Sequence, residues 1–261
     1  MNEFIELGRL SGQAVGAVMA GAPGLHTRFT ENCAVIFSGE PYPAMNMIFA
    51  GLGAETEDVL LTSAALACRR GHPALALITQ EAPAGASALA STCGYTLAGQ
   101  MPLMVLRKDA LSGAAHICEL VPAVDDALVS RAIALRSAGR YSIESMKRTV
   151  NPSMIVDPTV EIFVGISHGD AVSTVTVTAS GDTAGIWFMA TAKSHRRQGI
   201  GRSLLSQAIA LYRNRGIERF YLSATDAGKA MYASLGFQTI GTWEIWLSSL
   251  NAKQGTPAGG R

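Results

Sequence analysis

Two hydrophobic rhythms alternate along the chain. Short apolar, β-rich runs occur at Ala44–Phe49, Ala74–Ile78, Met104–Leu106, Cys118–Pro122, Glu161–Ile166, Ala171–Val177, Ile186–Thr191 and Phe220–Ala224. Runs of this length and composition read as strands. Between them, apolar positions recur at helical spacing. One such stretch, Glu57–Arg70, stops at Gly71, a residue suited to the left-handed end of a helix. A small-residue helix is expected over Ala84–Thr92, leading to a turn at Cys93-Gly94-Tyr95. Another begins at Asp125, carries Ala127, Leu128, Ile133, Ala134 and Leu135 inward, and closes at Gly139. A shorter helix follows over Tyr141–Val150 with Ser142 as its N-cap. The segment Gly12–Leu25 is rich in small apolar residues and reads as a core helix ending in the Ala22-Pro23-Gly24 turn. The runs 161–166 and 171–177 form a hairpin across Ser167-His168-Gly169-Asp170, which places His168 at a solvated turn. Residues Asn251–Arg261 are Gly-, Pro- and Ala-rich and read as a disordered tail.

The order of elements from Ala44 to Leu106 repeats the order from Ile186 to residue 246. The chain therefore divides into residues 1–115, residues 116–250 and the tail 251–261, and its 261 residues suit two domains. Composition adds exclusions. With 48% apolar and 16% charged residues the chain can build sizeable cores, and no run of 18 apolar residues suggests a membrane span. Acidic residues near the start argue against a secretory signal. Cys33, Cys68, Cys93 and Cys118 are scattered without a Cys-x-x-Cys pair, so free thiols in a reducing cytoplasm are expected, with no metal site. The net charge of +1 carries no nucleic-acid signature. It hides an asymmetry: residues 1–117 hold six Lys/Arg against nine Asp/Glu, whereas residues 118–261 hold fifteen against eleven. A basic half suits a domain that binds a polyanion.

The chemistry concentrates at Arg196-Arg197-Gln198-Gly199-Ile200-Gly201-Arg202. This run lies between an apolar strand and a helical pattern, Ser203–Leu211. The first turn of a helix has unpaired N–H groups and a partial positive charge, so it can hold a pyrophosphate through backbone alone. Glycines permit close approach, and the arginines add charge. The run lacks the Gly-Lys-Ser/Thr of a P-loop, and it has two glycines where the dinucleotide fingerprint needs three.

The spacing Arg196-x-x-Gly199-x-Gly201 resembles the coenzyme A loop of the GNAT acetyltransferase superfamily. A second stretch, Ala230-x-Tyr232-x-x-x-Gly236-Phe237, resembles that superfamily's tyrosine-bearing helix and Gly-Phe turn. The resemblance covers roughly residues 117–250. It implies an α/β (α+β) fold of two GNAT-like domains, each a mixed, mostly antiparallel twisted sheet flanked by helices, as in tandem GNAT proteins with one degenerate copy. It implies acetyl-CoA (coenzyme A) as cofactor and transfer of an acetyl group to a primary amine of a small molecule. The pantetheine arm would lie along Met189, Ala190 and Thr191, and the amides of Arg197 to Arg202 would hold the pyrophosphate. Tyr232 matches the acid that protonates the leaving thiolate. Asp226, just after the strand ending at Ala224, and Glu144, on a helix expected to shape the acceptor site with Tyr141 and Met146, are the candidates for general base. Each also has a plainer reading, Asp226 as a helix cap and Glu144 as a solvated helix residue.

In the N-terminal half, Gly51 and Gly53 lack arginines and are followed by Glu55, Glu57 and Asp58, and the position matching Tyr232 is Ala90. That half is expected to have lost cofactor binding and to serve structurally. The expected partner is a small-molecule amine, with no nucleic acid or membrane, in a cytoplasmic monomer or homodimer. A non-catalytic acyl-CoA-binding module and a protein N-acetyltransferase are the alternatives.

Overall fold

A computed structural model describes residues 3–51, 53, 55–79, 85–108, 115–137, 141–149 and 159–248. The helix stop expected at Gly139, the start at Ala84 and the tail 251–261 lie outside the described residues.

The N-terminal half comprises α1 (Glu3–Val18), β1 (His26–Phe29), β2 (Cys33–Phe37), β3 (Asn46–Ala50), α2 (Thr56–Arg70), β4 (Leu75–Thr79), α3 (Ala86–Thr92) and β5 (Tyr95–Leu106). The C-terminal half comprises β6 (Glu119–Pro122), α4 (Asp126–Ser137), α5 (Ile143–Thr149), β7 (Val160–Ser167), β8 (Asp170–Ser180), β9 (Thr183–Thr191), α6 (Ile200–Asn214), β10 (Arg219–Ser223), α7 (Asp226–Ser234) and β11 (Gln238–Ser248). Local chemistry sets several boundaries. Gly71 takes φ 63° at the end of α2. The Asp125 carboxylate accepts the Leu128 amide at 2.8 Å before α4, and the Ser142 hydroxyl accepts the Ser145 amide at 3.0 Å before α5. The hairpin between β7 and β8 turns through His168 and Gly169, both at positive φ.

The sheets expected from the two halves are joined into one of eleven strands, in the order β1-β2-β3-β4-β11-β5-β10-β9-β8-β7-β6. Two neighbouring pairs are parallel, β3 with β4 and β9 with β10, and the remaining pairs are antiparallel. The middle of the sheet is interleaved. β11, the last strand of the C-terminal half, pairs with β4 and β5 of the N-terminal half. β5, the last strand of the N-terminal half, in turn separates β11 from β10. Each half thus completes the other's sheet.

Strand periodicity sends alternate side chains to opposite faces. Leu103 and Val105 join a core with α1, α4 and α5 that includes Phe4, Leu7, Val129, Ile133 and Met146 from both halves. Met104 and Leu106 face a second core beneath α6, with Leu204, Leu205, Ile209 and Phe220. A third core lies under α2 and α3 around Phe37, Ile48 and Ile78. Polar ties also cross between halves. Arg148 makes a two-pronged pair with Glu40 at 2.6 and 2.8 Å, holding that carboxyl below its ordinary pKa. Ser142 donates its amide to the Tyr42 hydroxyl at 2.9 Å, and Arg219 of β10 pairs with Glu6 and Glu3 of α1. Among the described residues no helix is long and apolar enough to cross a membrane.

Candidate active site

The site begins where two parallel strands part. β9 and β10 pair only at Thr183–Arg219, Ala184–Phe220 and Gly185–Tyr221. β9 then continues from Ile186 to Thr191 without a strand partner on that side among the described residues. On its other side the ladder to β8 slips between Thr174–Ala190 and Thr176–Trp187, so Phe188 and Met189 stand opposite Val175 alone. Phe188 takes φ 47° to make this bulge. A bulge of this kind leaves one residue out of the ladder and re-aims its neighbours. The outer part of β9 therefore offers free backbone edge, and its residues from Trp187 to Thr191 are half-buried.

From Thr191 the chain passes a short turn, Lys193–His195, and enters α6. Arg197 (φ 60°) and Gly199 (φ 79°) both lie in the left-handed region. Interspersing such residues with right-handed ones turns successive amides toward one concavity. Within the described residues, no hydrogen bond uses the amides of Arg197, Gln198, Gly199, Ile200 or Gly201; the Ser203 amide donates to the Gly199 carbonyl at 2.9 Å. Both glycines fit by necessity. A Cβ at Gly199 would stand 2.8 Å from the Ile117 side chain, and one at Gly201 would stand 3.1 Å from the Thr191 hydroxyl and 3.2 Å from the Met189 methyl. The side chains of the loop support it from outside. Arg196 donates to the Thr191 carbonyl at 3.0 Å, Gln198 to the Ser194 carbonyl at 2.9 Å, and Arg202 to the Ser234 carbonyl at 3.3 Å. Ile200 is buried in the core beneath α6. The Ala190 carbonyl accepts from Ser173, whose hydroxyl also lies 3.0 Å from that of Thr191.

Tyr232 on α7 reaches the same place from the opposite side. Its hydroxyl lies 3.8 Å from the Met189 sulfur, a weak acceptor, and its ring packs edge-on to Phe237 at 5.9 Å. Burial pushes its pKa up to about 12, so the phenol is protonated at neutral pH. The structure thus brings together Met189, the amide loop and Tyr232, as the sequence reading expected of one site. It does not bring Glu144 to them. That side chain is 85% exposed and its partner is Arg148, at 3.8 Å within the same helix. Tyr141 packs edge-on to Tyr42 at 5.3 Å, and Met146 is buried in the core shared by the halves. Asp226 is exposed in the first turn of α7, and the N-cap position belongs to Thr225.

One feature is absent from the sequence reading. Arg136 on α4 is 7% exposed, and no carboxylate among the described residues pairs with it. Its guanidinium donates to the Thr176 hydroxyl and stacks over the Phe188 ring at 5.3 Å. Burial lowers its pKa to about 10, which leaves it charged at neutral pH. Among the described residues its Nε and Nη1 have no hydrogen-bond partner. The signal was present: Val129, Ala132, Ile133 and Arg136 follow one helix face, and the first three are core residues.

Residues 131–237 match the family model described as "Acetyltransferase (GNAT) family". The chain carries a GNAT acetyltransferase domain. The match over these residues and the shared fold support an acyltransferase. No curated protein matches the chain. Solved GNAT structures share its fold across nearly the whole length. A GCN5-related N-acetyltransferase from Kribbella flavida is 17% identical over 92% of this chain and 95% of its own, with a TM-score of 0.66. A GCN5-related N-acetyltransferase from Sphaerobacter thermophilus is 13% identical over 95% and 91%, at 0.59. A tandem GNAT protein from the clavulanic acid biosynthesis pathway is 14% identical over 96% and 94%, at 0.58.

Proposed function

We propose that the C-terminal half binds acetyl-CoA and catalyses transfer of its acetyl group to a primary amine of a small molecule. The observation that carries this reading is the row of unengaged amides from Arg197 to Gly201, set beside the unpaired edge of β9. Free amides at a helix start match a pyrophosphate, and the two glycines let the loop pack closely against Ile117, Thr191 and Met189. Acetyl-CoA supplies an acyl group activated as a thioester. The β9 backbone around Met189 to Thr191 would align the arm that carries it, as an added strand pairs with an open edge. A main-chain N–H at the bulge would steady negative charge developing on the acyl oxygen. Tyr232, protonated and weakly engaged, would donate its proton to the departing sulfur.

The N-terminal half, by this reading, is a GNAT-like copy without cofactor chemistry that supplies β5 and the α1 side of the core. The test is calorimetric titration with acetyl-CoA, followed by thiol release across a panel of small amines and peptides. Saturable one-site binding and release with small amines are expected. Binding with no release on any acceptor would mark a non-catalytic module, and release with peptides alone would mark a protein acetyltransferase. Absence of binding would overturn the reading.

A further inference from the structure

Beyond the transfer reaction, and resting on that reading of the C-terminal half, we propose that Arg136 is the anchor for a carboxylate on the acceptor, so that the substrate is an amine bearing an acid group, such as an amino acid. A charged guanidinium removed from water is strongly unfavourable unless hydrogen bonds and an opposite charge satisfy it. Arg136 has one hydroxyl partner, one aromatic face and two unpaired nitrogens. Three arginines that tie elements together have carboxylate partners: Arg148 with Glu40, Arg215 with Glu161, Arg219 with Glu6. The position is as telling as the deficit. Thr176 and Phe188 are residues of the β8–β9 bulge, and Phe188 directly precedes Met189, where β9 runs free of β10. A carboxylate taken by either of the unpaired nitrogens would supply the opposite charge that the guanidinium lacks. It would hold the adjoining amine beside the strand that aligns the thioester, converting binding energy into orientation. A purely structural arginine would instead hold the bulge and be indifferent to substrate charge.

The experiment compares amino acids with their decarboxylated amines as acceptors, by acetyl-CoA-dependent thiol release, in wild type, Arg136→Lys and Arg136→Met. Ligand-induced thermal shifts with the same compounds are measured alongside, without acetyl-CoA. Wild type should favour the carboxylated member of each pair by about 10- to 100-fold in kcat/KM, as befits a charge-assisted contact. Arg136→Met should lose that preference while binding acetyl-CoA normally, and Arg136→Lys should keep part of it. Amino acids should raise the melting temperature of wild type but not of Arg136→Met. Equal use of both members by wild type, or a preference that survives in Arg136→Met, overturns the proposal. So does a thermal shift by amines alone. If thiol release fails with every acceptor while amino acids still stabilise wild type and not Arg136→Met, the acyl-transfer reading falls and the carboxylate site stands. Should Arg136→Met fold poorly, the ratio measured in Arg136→Lys decides.

Discussion

The two halves place the same backbone features, a strand, a glycine turn and a helix start, in opposite chemical states. In the C-terminal half no hydrogen bond within the described residues uses the amides from Arg197 to Gly201. In the N-terminal half the Gly51 amide donates to the Asn32 carbonyl at 2.9 Å, and the Thr56 amide donates to the Gly53 carbonyl at 3.2 Å. The Glu55 carboxylate takes its own amide, the Asn32 amide at 3.3 Å and the Asn32 side chain at 3.2 Å. A carboxylate of the protein itself therefore sits where a bound anion would be needed. The strands differ in the same sense. β3 pairs with β4 from Met47 to Ala50, and its ladder to β2 has no slip, so nothing parts. Trp243 and Phe4, with ring centroids 4.5 Å apart, pack beside Phe49, leaving a cavity of only about 10 Å³ next to Gly51 and Thr79. Gly94 and Gly236 both take positive φ, yet the tyrosine before one is a buried alanine before the other. The halves thus share backbone form at this turn while differing in what its polar groups bond.

Four measurements sharpen this contrast. Tyr232→Phe should lower kcat by about 10²–10⁴-fold with acetyl-CoA affinity retained, as expected for loss of a general acid; unchanged turnover removes the phenol from the reaction. Trp243→Ala should cost about 3–5 kcal/mol in denaturant unfolding, since it empties the β11 core position that packs against Phe4 and Phe49 of the N-terminal half, without a comparable change in acetyl-CoA affinity. Gly199→Val should weaken acetyl-CoA binding by roughly 10- to 100-fold, reflecting a few kcal/mol of left-handed strain and contact with Ile117. Equal affinity would show that the loop does not hold the pyrophosphate. Glu55→Gln should have the smallest effect. Hydrogen bonds, first that from its own amide, lower the Glu55 pKa, so its stabilisation is present above the ordinary carboxyl range and is lost as pH falls through the lowered value. The variant should therefore show a shallower decline of unfolding midpoint with acid, and no change in acetyl-CoA binding.

Much of this was legible from local signals, because local chemistry fixes local form. Gly71 stops α2, Ser142 starts α5, and Gly199 permits the left-handed entry to α6. The loop and Tyr232 were legible for the same reason. Long-range pairing was not. β5 was expected at Met104–Leu106 but begins at Tyr95, and its length follows from β11, a partner more than a hundred residues away. β2 escaped although Cys33–Phe37 is a continuous apolar run, because it lacks the alternation of a half-exposed strand; all five residues are buried. Arg136 escaped because a charge in a helix reads as solvent-facing until its apolar neighbours along the same stripe are counted.

Exchange of β5 and β11 also ties the fates of the two halves. Cutting the chain between residues 115 and 116 would leave each fragment with a slot in its sheet and a projecting strand to fill the other's. Mixed together, such fragments would reassemble as complementary parts, whereas alone each would expose unpaired edge to aggregation. The N-terminal half is thus held in the molecule by mechanical necessity, because the sheet is incomplete without β5.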